Sequence, residues 1–201
     1  MTVIRSVCVF CGSRVGDDPE FRAAARRLGE QFARHGIRLV YGGGSIGLMG
    51  VLADAVLKHG GEVHGVIPEF LDRIEVGHTK LTSLDVVDSM HVRKAQMFEM
   101  SDAFVVLPGG LGTLDETLEI ITWRQLGLHD KPILLVDQVT KGSGGDWEPL
   151  LALIDPTVQR GFAGEETRKL FHVVSDVRDV LPALGIAAEQ ATGKAAPAKV
   201  L

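Results

Sequence analysis

Short apolar runs without polar alternation recur along the chain and predict the buried strands of a parallel sheet. They occupy residues 6–10, 37–41, 62–67, 103–107, 133–136 and 171–174, and 85–87 is a shorter candidate. Amphipathic segments of helical period lie between them. This alternation predicts a Rossmann-like, doubly wound α/β fold, with a mainly parallel sheet and helices on both of its faces.

Start and stop signals set the boundaries of several helices. The first is predicted over 19–36, with a proline at its first position and Asp18 as its N-cap. Further helices are predicted up to about His59, over 90–100, 117–128 and 165–170, from Trp147 to an interruption at Pro156, and after a cap at Ser175. In the 90–100 helix, the spacing directs Ala95 and Phe98 inward, with Val92 as a third candidate.

Length and composition predict one domain followed by a flexible C-terminal tail. At 201 residues and 45% hydrophobic content, the chain can bury a sizeable core. We expect a single domain over residues 1–186. Residues 187–201 have too little apolar content to anchor them, so we expect a flexible C-terminal tail.

Charge, hydropathy and cysteine usage narrow the class of protein. The formal net charge of -5 does not indicate the overall positive charge that is typical of nucleic-acid-binding proteins. No apolar run approaches the roughly 18 residues that a membrane span needs, and no signal-peptide pattern is present. We therefore expect a cytoplasmic protein that binds neither nucleic acid nor membrane. Cys8 and Cys11 are expected to point to opposite faces of a strand, which favours two reduced thiols over a redox or metal pair.

The most informative segment is Pro108-Gly109-Gly110-Leu111-Gly112-Thr113-Leu114-Asp115-Glu116, which joins a predicted strand to a predicted helix. Its glycines allow a sharp turn and leave backbone N–H groups uncovered at the helix N-terminus. The helix dipole adds positive potential there, which predicts a phosphate site with Glu116 beside it. Thr113 and Glu116 also have the spacing of a capping box, which would make both residues structural. That alternative does not explain the glycines.

A second glycine-rich loop, residues 42–50, follows the strand at 37–41. It contains a G-x-G-x-x-G motif that starts at Gly42, in the strand-to-helix context of a dinucleotide site. The acid that such a site uses for the ribose should end the next strand, whereas Glu62 begins it. A nicotinamide oxidoreductase is therefore an alternative, and a phosphate-holding turn is favoured. Because Gly12 follows the first strand, three glycine-bearing loops should gather at one edge as one phosphate-binding pocket.

Two motifs on either side of the strand at 103–107 are specific in combination. Met90-x-x-Arg93-Lys94 precedes this strand, and P-G-G-x-G-T-x-x-E follows it. Together with Cys11-Gly12-Ser13, the loop 41–50 and Thr122-Trp123-x-Gln125-Leu126-Gly127, they resemble the Lonely guy (LOG) family of cytokinin-activating phosphoribohydrolases, over about residues 6–181. Such proteins are also called lysine decarboxylases. That chemistry needs a lysine that forms a Schiff base with pyridoxal phosphate, and the sequence singles out none.

The resemblance implies a Rossmann-like homodimer that hydrolyses the N-glycosidic bond of an adenine-type nucleoside 5′-monophosphate, either a cytokinin riboside 5′-monophosphate or AMP. The products would be the free base and ribose 5-phosphate. By position, the resemblance gives Arg93 and Glu116 the catalytic places. Its substrate-binding places fall on Glu75, Lys94, Gly109, Gly110, Leu111, Gly112, Thr113 and Asp115. We expect further substrate contacts from Gly12, Ser13, Gly43, Gly44, Ser45, Met90 and Arg93. No cofactor is implied, and the scattered histidines offer no metal-ligand pair.

The expected chemistry assigns a part to each charged residue. Breaking a ribosyl C–N bond develops oxocarbenium character at C1′, which a nearby carboxylate stabilises. A carboxylate can also orient and deprotonate the attacking water, and Glu116 is the candidate for both roles. Asp115, about 100° around the helix, is the candidate for a ribose-hydroxyl ligand. Arg93 can fix sugar hydroxyls or phosphate and keep Glu116 ionised. A substrate without the 5′-phosphate should react poorly, because it lacks that remote binding energy.

The helix over 116–128 also predicts a second contact surface. Its apolar residues spread over more than one face and are Ile120, Ile121, Trp123, Leu126 and Leu128. A homodimer interface beside the active site would cover them, and neighbouring helices of the same chain are the alternative cover. For function, the alternative is a non-catalytic nucleotide or molybdenum-cofactor carrier of the same fold, against which the Arg93 and Glu116 pair argues.

Overall fold

A computed structural model describes residues 3–75, 77–137 and 144–186, with only the backbone of residues 74 and 75. The described residues form one seven-stranded sheet whose neighbouring strands are all parallel. The strands are β1 (Ser6–Phe10), β2 (Arg38–Tyr41), β3 (Val63–Pro68), β4 (Ser83–Val87), β5 (Ala103–Val106), β6 (Ile133–Val136) and β7 (His172–Val174). Their order across the sheet is β4-β3-β2-β1-β5-β6-β7.

Helices cover both faces of this sheet. They are α1 (Pro19–Arg34), α2 (Gly47–Lys58), α3 (Glu69–Glu75), α4 (Met90–Glu99), α5 (Leu111–Gln125), α6 (Glu148–Gln159) and α7 (Val180–Ala183). Strand side chains alternate between two apolar cores. Val7 of β1 shares one core with Leu52 of α2, whereas Cys8 shares the other with Met97 of α4 and Ile120 of α5. The predicted doubly wound, parallel α/β fold is confirmed.

The strand order reverses at β1, which has β2 on one side and β5 on the other. Open parallel sheets bind ligands outside the carboxyl ends of the strands at such a switch point. The N–H of Gly12 donates to the carbonyl of Pro108 at 3.1 Å, and the N–H of Leu48 donates to the carbonyl of Gly12 at 3.0 Å. The loops after β1, β2 and β5 therefore meet at one edge, as the sequence predicts.

Helix α5 begins earlier than predicted. Gly110 is its N-cap and Leu111 its first residue, so Thr113 lies in the first turn and Glu116 in the second. The capping-box interpretation is wrong, because it requires Thr113 just outside the helix. The hydroxyl of Thr117 instead donates to the carbonyl of Thr113 at 2.6 Å, as an ordinary helix-interior threonine does.

Two predictions about helix ends are also corrected. Helix α6 continues through Pro156. Leu150 and Val158, before and after the proline, are both buried, and this packing outweighs the backbone hydrogen bond that the proline removes. Asp176, not Ser175, caps the short 3-10 turn Val177–Asp179, which leads directly into α7. Its carboxylate is a stronger acceptor for the first N–H groups than a hydroxyl.

Helix α4 turns a different side inward from the one its apolar spacing predicts. Val92 is 47% exposed and Ala95 is exposed, while Phe98 is half-buried. The buried positions are Arg93 and Met97. A charged residue at a buried position needs polar partners, and these come from other elements, as the site below shows.

The expectations of a C-terminal tail and of a chain without a membrane span concern the limits of the described ranges. The predicted tail over 187–201 lies outside them, so the division into one domain and a tail stays a prediction. Within the described ranges, no helix has both the length and the apolar character needed to cross a membrane.

Candidate active site

Arg93 and Glu116 face each other at the carboxyl edge of the sheet. Arg93 comes from the first turn of α4 and Glu116 from the second turn of α5, and they are only 6% and 7% exposed. Nη1 of Arg93 lies 3.5 Å from Oε1 of Glu116. The fold thus brings together, from different helices, the two residues to which the resemblance gives catalytic places.

The guanidinium of Arg93 is held from several directions. Its Nε donates to the carbonyl of Val66 on β3 at 3.2 Å, and its Nη1 lies 3.7 Å from Sδ of Met90. A Cβ atom at Gly42 would collide with Nη2. The first glycine of the G-x-G-x-x-G motif therefore makes room for an arginine side chain.

A cavity of about 150 Å³ opens onto this pair. A second cavity of about 640 Å³ borders it and shares Ser13, Gly110 and Leu111 with it. We call the smaller one, next to Arg93 and Glu116, the inner cavity and the larger one the outer cavity. Gly112 and Thr113 line the inner cavity, and Gly12 and Gly109 line the outer cavity. Small-molecule sites are typically clefts of roughly 300–1,000 Å³, so the two adjacent cavities together have the volume that a nucleotide site needs.

The glycine turn lies at the N-terminus of α5, beside both cavities. The N–H of Leu114 donates to the carbonyl of Gly110 at 3.1 Å and opens the backbone ladder of the helix. The N–H groups of residues 111–113 precede that bond, at the positive end of the helix dipole. Leu111 is 84% exposed, and a Cβ at Gly112 would meet nothing within 4 Å. An anion can therefore approach this end of the helix.

Lys94 and Asp115, both assigned to substrate binding by the resemblance, contact each other. Nζ of Lys94 lies 3.1 Å from Asp115 and 3.0 Å from Glu119. Burial alone would lower the pKa of Lys94, but the hydrogen bonds to Glu119 and Asp115 outweigh it and raise that pKa. Neither Lys94 nor Asp115 lines the two cavities described above. Their ion pair ties α4 to α5 next to the cavity.

Backbone groups of the β2–α2 loop contact residues 77 and 78 of the same chain. The carbonyl of Gly43 accepts from the N–H of His78 at 3.0 Å, and Gly44 forms an isolated antiparallel bridge with Gly77. Gly43, Gly44 and Ser45 line neither cavity, in contrast to Gly42. The side chain of Glu75 lies outside the described part of the chain. Substrate contacts from these four residues stay predictions.

Several cavity residues were not among the predicted site residues. They are Val9, Phe10, Cys11, Gly42, Met49 and Met97. Gly42, Met49 and Cys11 lie in the quoted motifs and could have been found there. Phe10 and Met97 have the pattern of ordinary core residues, and no sequence signal separates them from the core.

The structure also bears on the nicotinamide, cysteine and metal interpretations of the sequence. Nε of Arg38 donates to Glu62 at 3.1 Å, just before β3 begins, so Glu62 lies at the opposite edge of the sheet from the glycine loops and cannot be the ribose ligand of the nicotinamide alternative. Cys8 and Cys11 are both buried and form no disulfide, which confirms the expected thiols. Burial, aided by the charge of Glu116, raises the pKa of Cys8 well above its usual value. No cluster of metal-ligating side chains occurs within the described ranges.

Comparisons with known proteins find a matching family model and similar proteins that are named for one activity. A family model described as "Possible lysine decarboxylase" matches residues 49–184. The probable cytokinin riboside 5′-monophosphate phosphoribohydrolase LOGL1 of Oryza sativa subsp. japonica is 47% identical over 164 residues, which cover 82% of this chain and 71% of that protein. The cytokinin riboside 5′-monophosphate phosphoribohydrolase of Rhodococcoides fascians is 44% identical over 181 residues, which cover 90% of this chain and 89% of that protein.

Solved structures share the fold at much lower identity. The molybdenum cofactor carrier protein of Chlamydomonas reinhardtii matches with a TM-score of 0.65 and 22% identity, over 91% of this chain and 96% of that one. The molybdenum cofactor binding protein of Rippkaea orientalis matches with a TM-score of 0.64 and 18% identity, over 92% and 98%. Such likeness shows the fold alone. The sequence relatives, the matching motifs and the placement of those motifs at the switch point agree, and the chain belongs to the Lonely guy (LOG) family of phosphoribohydrolases.

Proposed function

We propose that this protein hydrolyses the N-glycosidic bond of adenine-type nucleoside 5′-monophosphates, namely cytokinin riboside 5′-monophosphates and AMP, and releases the free base and ribose 5-phosphate. The observation that carries the proposal is the buried pair of Arg93 and Glu116 beside a cavity at the switch point. Relatives at 44–47% identity are named phosphoribohydrolases of cytokinin riboside 5′-monophosphates, which supports the reaction on that class of substrate.

Glu116 is the proposed base and electrostatic partner of the reaction. Its carboxylate borders the inner cavity, where it can face C1′ of a ribose and stabilise the oxocarbenium character that develops there. The same carboxylate can take a proton from the water that attacks C1′. Arg93, 3.5 Å away, keeps the carboxylate charged and offers further N–H donors to the sugar hydroxyls.

The turn at the start of α5 is the proposed site of the 5′-phosphate. Its N–H groups and the helix dipole suit an anion, and Gly109 and Gly110 place no side chain over them. A phosphate bound there would place the ribose close to Glu116, which lies in the second turn of the same helix. Lys94 and Asp115 stay proposed substrate contacts, which their ion pair would have to open to make.

Lysine decarboxylation is less well supported by the same site. A Schiff-base lysine is typically activated by a lowered pKa. The pKa of Lys94, the lysine nearest the motifs, is raised by its hydrogen bonds to Glu119 and Asp115 against the opposing effect of burial.

The proposal is tested by incubating the purified protein with AMP, isopentenyladenosine 5′-monophosphate and adenosine, and resolving the free bases by chromatography. We expect base release from the nucleotides and a rate lower by orders of magnitude on adenosine, since each lost charge-assisted hydrogen bond to phosphate removes about 1.5–3 kcal/mol. Comparable rates on adenosine and AMP would contradict the phosphate site. Nucleotide binding without any base release would favour the carrier alternative.

A further inference from the structure

Four polar side chains form a hydrogen-bonded series that joins the edge strand β4 and its neighbour β3 to α4. Ser83 and Asp85 lie on β4, His64 lies on β3 and Gln96 lies on α4. The hydroxyl of Ser83 is 2.6 Å from Nδ1 of His64, and Nε2 of His64 is 2.9 Å from Oδ2 of Asp85. The amide of Gln96 donates to the same oxygen of Asp85. The series therefore ends on the helix that carries Arg93.

The partners assign the direction of each hydrogen bond. Asp85 is an acceptor, so His64 carries its proton on Nε2 and donates to it. Nδ1 of His64 then accepts from the hydroxyl of Ser83. Serine, histidine and aspartate also make up hydrolase triads, but here the carboxylate is shared with Gln96, and the series is continuous from the sheet to α4.

This series lies next to the contact that orients Arg93. Val66, whose carbonyl accepts from Nε of Arg93, is the register partner of Asp85 across β3 and β4. Gln96 follows Arg93 by one helical turn and lies on the same side of α4. Two neighbouring polar contacts, from Arg93 to Val66 and from Gln96 to Asp85, therefore fix the first two turns of α4 on the sheet.

We propose that Gln96, Asp85 and His64 are positioning residues that hold α4 so that the guanidinium of Arg93 stays opposite Glu116. This inference rests on the proposed function, because the position of Arg93 matters most if it acts in catalysis. Val92 and Ala95 are exposed, and the fully buried apolar contact of α4 comes from Met97, about one turn beyond Arg93, so polar contacts matter most at the turn that carries Arg93. A misplacement of about 1 Å at a catalytic group can lower a rate by about 100-fold.

The first experiment removes the donor at the end of the series. Gln96→Met keeps the length of the side chain and its helix propensity and loses the hydrogen bond to Asp85. We expect kcat for base release from AMP to fall by about 10- to 100-fold with KM within about threefold of wild type. The melting temperature should change by less than about 4 °C, because a single half-exposed hydrogen bond is removed.

Substitutions at Asp85 separate positioning from general loss of structure. In Asp85→Asn, the amide oxygen can accept from both Gln96 and His64, so activity should stay within a few-fold of wild type. Asp85→Leu has no acceptor and should resemble Gln96→Met. Thr82→Val is the matched control, because it removes the 3.0 Å hydrogen bond from the N–H of Val63 to Thr82 between the same two strands without touching α4. Its kcat should be unchanged.

A measurement without turnover keeps the inference separate from the proposed function. The Nε–H of Arg93, buried against the carbonyl of Val66, should give a slowly exchanging ¹H–¹⁵N signal that disappears in Arg93→Lys. We expect this protection to be lost in Gln96→Met and Asp85→Leu and kept in Asp85→Asn and Thr82→Val. Wild-type kcat and an unchanged Arg93 signal in Gln96→Met would overturn the inference. If the wild-type protein released no base, the proposed function would fail, and the Arg93 signal alone would decide the positioning role.

Discussion

Burying Arg93 and Glu116 together costs desolvation free energy, which their attraction recovers only when further hydrogen bonds complete the pair. The carbonyl of Val66 supplies one such bond, and Gly42 supplies the space for the guanidinium. A buried ion pair is weak evidence for stability. Two charged residues with this burial beside a cavity are therefore better explained by catalysis than by folding.

Glu116→Gln is expected to lower base release by at least about 100-fold, because the amide cannot accept a proton from water. The fold should survive, since the amide oxygen can still face Arg93 and no capping box is lost. We expect a melting temperature within about 4 °C of wild type. Glu119→Gln, on the same helix and facing Lys94, is the control and should retain near-normal activity. Near-normal turnover in Glu116→Gln would show that another group is the base.

Arg93→Lys is expected to reduce kcat/KM by about 100-fold, because an ammonium cannot reach Val66 and Glu116 at once with a planar fork. The loss of one or two charge-assisted hydrogen bonds of about 1.5–3 kcal/mol accounts for this factor. Initial rates on AMP would measure it, with Arg27→Lys, a half-buried arginine of α1 that pairs with Glu20, as the control. If Arg93→Lys were as active as the control, only a local positive charge would be needed.

At the scale of elements, the sequence predicts the positions of the strands well. It predicts less well where the helices begin and which of their sides are buried. The start of α5 was placed too late, because Gly112 is unfavourable in a helix by about 1 kcal/mol and the local sequence offers a capping alternative at Thr113. The loop after β1 contacts Pro108 and Gly109, directly before this first turn, and such a contact is not visible in local sequence. The burial of Arg93 could not be predicted from hydropathy for the same reason, since its partners lie on β3 and α5.

The start of β1 is anchored by one carboxylate, and this gives a pH-dependent prediction. Oδ2 of Asp102 accepts from the N–H groups of Arg5 and Ser6 and from the hydroxyl of Ser6, at 2.8–2.9 Å. Burial raises the pKa of Asp102, but these hydrogen bonds outweigh it and hold that pKa below its usual value. Its stabilising contribution is therefore present above the unfolded pKa of about 3.9 and is lost as the pH falls through the lower folded value.

Asp102→Ala should lower the free energy of unfolding by about 1–3 kcal/mol at pH 7, because three donors lose their acceptor. The difference from wild type should be constant above about pH 5 and shrink below about pH 4. Urea unfolding between pH 7 and pH 3 would measure both. Asp102→Asn should retain part of the stability, since its oxygen still accepts. A difference that persists undiminished at pH 3 would contradict this account of β1.

For the whole molecule, the sequence was most informative where one physical rule links distant segments. Parallel strands end at a common edge, so the glycine loops after β1, β2 and β5 could be placed together before their contacts were known. The rule does not say which backbone groups remain available. Gly43 and Gly44 are engaged by residues 77 and 78, and Lys94 is engaged by two carboxylates. Those competing partners were beyond the reach of motif spacing.

The second apolar surface of α5 is only partly covered by the chain itself. Ile120 and Ile121 are buried in the core, and the ring of Trp123 packs edge-on against Phe98 at 5.0 Å. These contacts account for part of the surface that predicted an interface. The leucines that remain exposed are Leu111 at 84%, Leu118 at 41%, Leu126 at 68% and Leu128 at 65%. Clustered apolar exposure of this kind is typical of an interaction surface.

We expect a second copy of the chain to cover this surface and thereby form a homodimer beside the active site, since Glu116 lies on α5 with Leu111 and Leu118, and Leu126 and Leu128 follow directly after this helix. Leu126→Glu tests this more cleanly than Trp123→Glu, because Trp123 also packs inside the chain. A charge at a buried interface position costs several kcal/mol, so the variant should be monomeric and much less active. Light scattering at low micromolar concentration, with base release measured on the same samples, gives both quantities. Val3→Glu, which also puts a charge at an exposed apolar position but is not one of these leucines, is the control. A wild-type monomer that still releases base would refute the dimer and its shared site.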